Sequence, residues 1–302
     1  MIKSTIQTAV AAMLVAIGAA GTAHAAGPVL DTGEYLIHFG NYDSATTGYG
    51  SALGPVCSGI LACDGAATAS APGAAPLTSY DSMGILSILS IVNQTTGNTM
   101  YVQGQGGVFL TGIFGGLKDY FVVNAKDDTN PLSVRTTTES VGGTFSVWEN
   151  VANYKPLVNS AYYAAGTTDL NADLFPGVTN TAAKLWLKGV FSPGAIAGDF
   201  TTTYTATYNS VSFAGGGQGF LDLTGGSALH YFDTNAQVDA NGKMHDMFLS
   251  TTTKKALPAY IANGWNVQST GDIVATVPEP STVALVALGL LVVGGAARRN
   301  RT

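Results

Sequence analysis

The sequence predicts a mainly β protein whose central part forms an antiparallel β-sandwich-like body. Three observations support this fold class: short runs rich in β-branched and aromatic residues, alternation of apolar and polar positions within them, and abundant turn-forming glycine. The chain has 302 residues, of which 38 are glycine and 13 are tyrosine. Alternation is clearest where Tyr204, Ala206 and Tyr208 share one face and threonines occupy the other.

Candidate strands and turns can be placed along the central part of the chain. Residues 85–92 and the segment after them predict a hairpin whose turn lies at 95–98. The glycine-rich stretch 215–219 predicts a turn, and 147–154 and 168–175 could each form a short helix. Further strands are predicted at 108–114, 144–148, 184–191, 244–249 and 271–276.

The N-terminal segment 1–25 has the pattern of a secretory signal peptide. Lys3 supplies a positive charge, the segment 9–20 is apolar, and Ala23 and Ala25 form an A-x-A cleavage site. Cleavage there would leave Ala26 as the first mature residue. We therefore expect an exported body at residues 26–277.

The C-terminal segment has a different apolar pattern. Residues 281–297 carry no charge, and as a helix they would extend about 26 Å, slightly less than the hydrocarbon core of a bilayer. Three arginines follow and would remain on the cytoplasmic side, namely Arg298, Arg299 and Arg301. The segment 278–302 thus predicts a single C-terminal transmembrane helix. The alternative is a buried core helix.

The sequence Val277, Pro278, Glu279, Pro280, together with the apolar run and the arginines, resembles the PEP-CTERM sorting signal of Gram-negative bacteria. The resemblance implies processing by an exosortase near the Pro-Glu-Pro triplet. It also implies an organism that makes exopolysaccharide, and some proteins with this signal are associated with flocculation or biofilm. Residues 217–237 are similar to a segment of flocculation-type ectodomains with this signal. The signal is an address and implies no enzymatic activity.

Charge is sparse in the expected exported body. Residues 26–277 contain eighteen acidic and nine basic side chains, which gives a net charge of about −9, and Arg135 is their one arginine. Such a surface repels nucleic acids and other polyanions unless cations bridge them. The sequence therefore argues against a nucleic-acid partner.

The two cysteines, Cys57 and Cys63, predict a structural disulfide in an oxidising compartment. Closing so short a loop would stabilise the fold by roughly 2–3 kcal/mol. A metal site is disfavoured because no histidine lies near, and C-x5-C is not the redox spacing. The surrounding stretch 44–79 is rich in Ala, Gly, Ser, Thr and Pro and predicts a long low-complexity loop.

No catalytic motif is present: the sequence lacks H-E-x-x-H, G-x-S-x-G and a Walker loop. The tight pairings of histidine with acid are His245 with Asp246 and His230 with Asp233, and polar positions at strand edges are the favoured explanation of both. A Ser-His-Asp triad remains an alternative, because its members can come together in the fold from distant parts of the sequence. The chain offers no evident cofactor site.

One acidic stretch is a weak calcium candidate, since its oxygens are Asp233, Asn235, Asp239 and Asn241, with Asp246 nearby. The spacing does not fit an EF-hand. The competing interpretation is a hairpin whose Asn-Gly turn lies between Val238 and Met244, and it is favoured.

Three tryptophans allow a carbohydrate-binding interpretation. Trp148, Trp186 and Trp265 could stack on sugar rings, although burial in the core is the default for tryptophan.

These features predict a non-enzymatic, exported surface or extracellular-matrix protein associated with exopolysaccharide, biofilm or flocculation. The alternatives are a secreted carbohydrate-binding module, with or without calcium, and a polysaccharide hydrolase, which would need two carboxylates in a cleft. The expected partners are an exosortase-type enzyme, exopolysaccharide, and the membrane before processing.

Overall fold

The computed structural model describes residues 27–45, 53–59, 63, 82–128, 133–158, 175, 177–178 and 184–279. The predicted signal peptide, the apolar run 281–297, the three terminal arginines and most of the predicted helix at 168–175 lie outside these residues. Within the described part of the chain, no helix has the length and apolar character needed to cross a membrane.

Strands dominate the described residues, as the sequence predicts. The helices whose full length is described are the short α1 (Leu229–Phe232) and α2 (Pro258–Ile261), with a 3-10 turn at Gln105–Gly107. The strands are β1 (Gly33–Ala45), β2 (Gly54–Ser58), β3 (Ser82–Asn93), β4 (Thr99–Val102), β5 (Phe109–Lys126), β6 (Val134–Asn150), β7 (Leu185–Ser192), β8 (Tyr204–Asn209), β9 (Gly215–Gly225), β10 (Gln237–Val238), β11 (Met244–His245), β12 (Met247–Lys255) and β13 (Val267–Val277).

One antiparallel sheet closes on itself. Its order is β5-β3-β1-β13-β12-β9-β7-β6, and pairing of β5 with β6 joins the two ends. Strand β8 also lies between β6 and β9, where it pairs with parts of these strands that β7 does not reach. The expected two-sheet sandwich is therefore wrong in its layout, although mainly antiparallel β structure is confirmed. The reason is the length of β5 and β6, which pair from Phe109↔Asn150 to Lys126↔Val134 and leave neither strand as a free edge.

Glycines on the inner face make room for aromatic rings. A Cβ at Gly217 would overlap the Tyr204 hydroxyl oxygen, and one at Gly271 would lie 2.5 Å from Cζ of Phe39. In each case a ring covers the bare backbone of the neighbouring strand, which compensates for the weak strand propensity of glycine. The predicted turn at 215–219 is therefore wrong, because these residues begin β9.

Two apolar clusters lie on opposite sides of the sheet. The larger cluster fills the interior, and α1 closes one end of it with Phe232, which packs edge-on against Tyr35 and Trp186. The smaller cluster covers the outside of β3, β5 and β6 and includes Met83, Ile85, Ile113, Trp148, Phe175, Val178 and Trp265. The predicted helix at 147–154 is wrong, since β6 continues to Asn150 and places Trp148 in this outer cluster, and residues 151–154 form no helix.

Candidate functional site

The sorting segment leaves the sheet at the end of β13. The last register pairs of this strand are Thr276↔Glu34 and Val277↔Gly33. Val277 is buried, whereas the next two residues, Pro278 and Glu279, are exposed. Proline has no N–H to donate to a ladder, so Pro278 ends the strand. Pro280 lies outside the described residues.

A buried hydrogen-bond network fixes this exit point. The side chain of Asn93 donates to the carbonyl of Thr32 (3.1 Å) and to the Tyr35 hydroxyl (3.2 Å). The same side chain accepts the N–H groups of Thr95 (2.9 Å) and Thr96 (3.1 Å). Burial raises the pKa of Tyr35, whose hydroxyl stays neutral as a donor. The start of β1, the partner of the last residues of β13, is therefore firmly held.

The outer face carries a row of threonines at one register level, which we call the threonine row. Residues Thr137, Thr207, Gly216, Thr252 and Thr270 follow one another across β6, β8, β9, β12 and β13. Thr252 and Thr270 are exposed, and the hydroxyls of Thr137 and Thr207 lie 3.0 Å apart. The row is uncharged and offers hydroxyl groups, which can donate and accept hydrogen bonds.

The histidines find partners other than those expected from the sequence. The buried His245 places Nδ1 3.0 Å from Asp222 and Nε2 3.4 Å from Asp239. Ser192 donates to Asp222 (2.6 Å) and not to the imidazole, so this group lacks the nucleophile–base contact of a catalytic triad.

The other expected histidine pairs are also replaced. Asp246 accepts the backbone N–H groups of Leu223, Thr234 and Asn235. His230 contacts the carbonyl of Ser227, and His38 pairs across the sheet with Asp272. The partner of His245, Asp222, lies on β9, and no local spacing in the sequence indicates that contact.

The calcium candidates are divided between two places. Asp233 and Asn235 follow α1, whereas Asp239 and Asn241 form the turn between β10 and β11, where Gly242 has φ 80°. The hairpin expected from Asn-Gly is thus present. Among the described residues, no group of three or more His, Cys, Asp or Glu side chains could hold a metal ion.

Backbone donors already occupy the oxygens of that turn. Asp239 accepts the N–H groups of Asn241 (2.8 Å) and Lys243 (2.7 Å). Burial alone would raise the pKa of Asp239, but these donors and His245 outweigh it and hold the pKa below its ordinary value. The amide oxygen of Asn241 accepts the N–H of Gly198 (2.6 Å).

The cysteines are bonded to each other in the structure. Cys57 on β2 and Cys63 have a Cα–Cα distance of 5.2 Å and pack against Val122 of β5. Both lie in the stretch 44–79 that was expected to be loop, and β2 adds a strand there.

The tryptophans are buried and offer no exposed ring for a sugar. Trp186 lies in the interior cluster, and Trp148 and Trp265 lie in the outer one. The indole N–H of Trp265 donates to the carbonyl of Pro156 at 2.7 Å.

Comparison with known proteins identifies one segment of the chain. No curated protein and no solved structure matches significantly. Residues 276–301 match the model of the PEP-CTERM protein-sorting motif. This match begins at the last two residues of β13, at the exit point described above. The chain thus carries a PEP-CTERM sorting signal, which implies export, membrane-associated sorting and processing by an exosortase.

Proposed function

We propose that this chain is a non-enzymatic protein of the cell surface or extracellular matrix that contacts exopolysaccharide and promotes biofilm or flocculation. The observation that carries the proposal is the position of the sorting motif, which starts where the closed sheet ends. Cleavage near Pro278 would leave every strand in place, so processing would deliver the body folded.

The threonine row supports a contact with polysaccharide. Sugar hydroxyls both donate and accept hydrogen bonds, and the threonine hydroxyls complement them without charge. The net charge of about −9 on the body favours contact with a neutral polysaccharide over an anionic one. Single contacts of this kind are weak, but many copies on one polymer strand bind with avidity.

Deletion of the gene and complementation test the proposal. We expect deletion to lower flocculation and biofilm mass, and the wild-type gene to restore them. A triple variant with alanine at Pro278, Glu279 and Pro280 should fail to restore them and should accumulate unprocessed in the membrane fraction.

The role of the threonine row is tested by the double variant Thr252→Val with Thr270→Val. It removes two hydroxyls and keeps side-chain shape and β propensity. We expect this variant to reach the surface in normal amount and restore less aggregation than the wild type. Thr99→Val, at an exposed position of β4, is the matched control. Unchanged aggregation after deletion of the gene would refute the proposed function. Equal aggregation with the double variant and with Thr99→Val would refute only the role of the threonine row.

A further inference from the structure

The closed sheet encloses two adjoining cavities that differ in polarity. One has a volume of about 90 Å³ and is mostly apolar, with Ile37, Phe39, Leu86, Phe145 and Leu249 in its wall. The other has a volume of about 80 Å³, and its wall includes Asp119, Thr138 and Ser140. The walls share Asp43, Ser82, Leu117 and Tyr204, so the two spaces meet at these residues.

Asn41 presents an unpaired acceptor to the apolar cavity. The residue is 4 % exposed, and its Oδ1 atom has no hydrogen-bond partner among the described residues. The Nδ2 group donates to the carboxylate of Asp43, which fixes the orientation of the amide and leaves Oδ1 as the unpaired atom. A buried acceptor without a partner destabilises the fold, so such atoms usually have a bound donor.

Asp43 adds a second acceptor at the same place. Its carboxylate faces the cavity and accepts hydrogen bonds from Asn41 and from Ser269 (3.3 Å). Burial raises the pKa of Asp43 to about 7 although both donors oppose this shift. The residues described in the walls of the two cavities include no lysine, arginine or histidine. Within the described part of the chain, Oδ1 of Asn41 therefore has no donor, and the carboxylate of Asp43 has one neutral donor on each oxygen and no cation beside it.

We propose that the interior of the closed sheet binds a small, mainly apolar molecule whose polar end donates hydrogen bonds, such as a hydrocarbon with a hydroxyl or amino group. The polar end lies against Oδ1 of Asn41 and the carboxylate of Asp43. The apolar end lies along Ile37, Phe39 and Leu249. An occupant with a carboxylate end is disfavoured, because it would present a third acceptor to two existing ones. This site is separate from the outer face and the sorting segment.

Calorimetric titration of the full chain in lipid nanodiscs tests the site, with empty nanodiscs as the blank. The probes are 1-hexanol, hexylamine and hexanoate at pH 8, which share a hydrocarbon chain and differ in the polar end. We expect hexanol and hexylamine to bind and hexanoate to bind at least about tenfold more weakly. Absence of binding by hexanol and hexylamine, or equal binding of all three probes, would overturn the proposal.

Two variants locate the binding. Asn41→Leu should weaken hexanol about tenfold because it removes the unpaired acceptor, while Asn98→Leu, at an exposed turn, should bind like the wild type. Leu249→Trp, which fills the apolar cavity, should abolish binding of both positive probes. Near-UV circular dichroism confirms that each variant is folded. Equal affinities of the Asn41 and Asn98 variants, with Leu249→Trp still binding, would place the probes elsewhere and refute the site.

Discussion

At the scale of single residues, Asp43 shows how strongly the interior acts on one side chain. The carboxyl lies on β1 and lines both cavities. Burial penalises its charged form and raises its pKa to about 7, against the hydrogen bonds from Asn41 and Ser269. An unfolded aspartate ionises near pH 4, so between pH 4 and pH 7 the folded state holds a proton that the unfolded state has lost.

The stability contributed by protonated Asp43 is therefore fully present below about pH 4, falls as pH rises to 7, and is constant above. For a shift of this size the loss is on the order of 4 kcal/mol. Asp43→Asn keeps the shape and removes the titration. Urea unfolding of wild type and variant at pH 5 and pH 8 should show their difference in free energy growing in favour of the variant. A difference independent of pH would contradict the assignment.

Residue spacing in the sequence predicted some features of the candidate sites but not the partners of the histidines. The Asn-Gly turn between Val238 and Met244 was predictable, because its geometry depends on adjacent residues. The pairing of His245 with Asp222 was not, because it depends on the register of two strands that the chain connects only through α1 and the hairpin. The Pro-Glu-Pro signal was predictable because it is read as a linear sequence.

At the scale of elements, glycine has opposite consequences on the two faces of the sheet. Gly271 points inward, where its missing Cβ leaves space for Phe39 and for the carbonyl of Ser250. Gly40 pairs with Thr270, the residue before Gly271. A Cβ added at Gly40 would contact only Cδ1 of Leu89, at 3.7 Å. Sequence alternation located most strands, but the first part of β9, residues 215–219, was predicted as a turn, because the rings that cover its glycines come from another strand.

Gly271→Ala should therefore destabilise the protein by about 1–3 kcal/mol, because the new methyl group overlaps a ring and a backbone oxygen. Gly40→Ala is the matched control and should be neutral or slightly stabilising, since its Cβ fits and the unfolded chain loses freedom. Denaturant midpoints of the two variants check this expectation. Equal destabilisation would show that both effects come from the backbone alone.

At the scale of the whole molecule, closure of the sheet joins parts of the chain that lie far apart. The strands β5 and β6 meet along their length, and β1 pairs with β13, which comes from the other end of the described chain. Local patterns predicted the strands and their antiparallel character, but they carry no signal for closure, so a sandwich was expected. The interior cavities follow from closure and were equally absent from the sequence patterns.

A closed sheet should unfold as one unit, because opening any pair of strands exposes the interior cluster. Trp186 reports on the interior, and Trp148 and Trp265 report on the outer cluster. In variants that retain only Trp186 or only Trp265, the others being replaced by phenylalanine, fluorescence should give coincident urea transitions. The fluorescence transition of each variant should be compared with the transition that far-ultraviolet circular dichroism gives for the same variant. Transitions that separate within one variant would show that the outer cluster unfolds independently.

The place of β13 sets the timing of assembly during export. This strand is inserted between β1 and β12, so the first described strand waits for a neighbour encoded at the far end of the chain. A polypeptide that emerges from a translocation pore in order cannot complete its ring until residue 277 has cleared the pore. The sorting motif begins at residue 276, so we expect the last step of folding to take place beside the bilayer, as the signal becomes accessible to its processing enzyme.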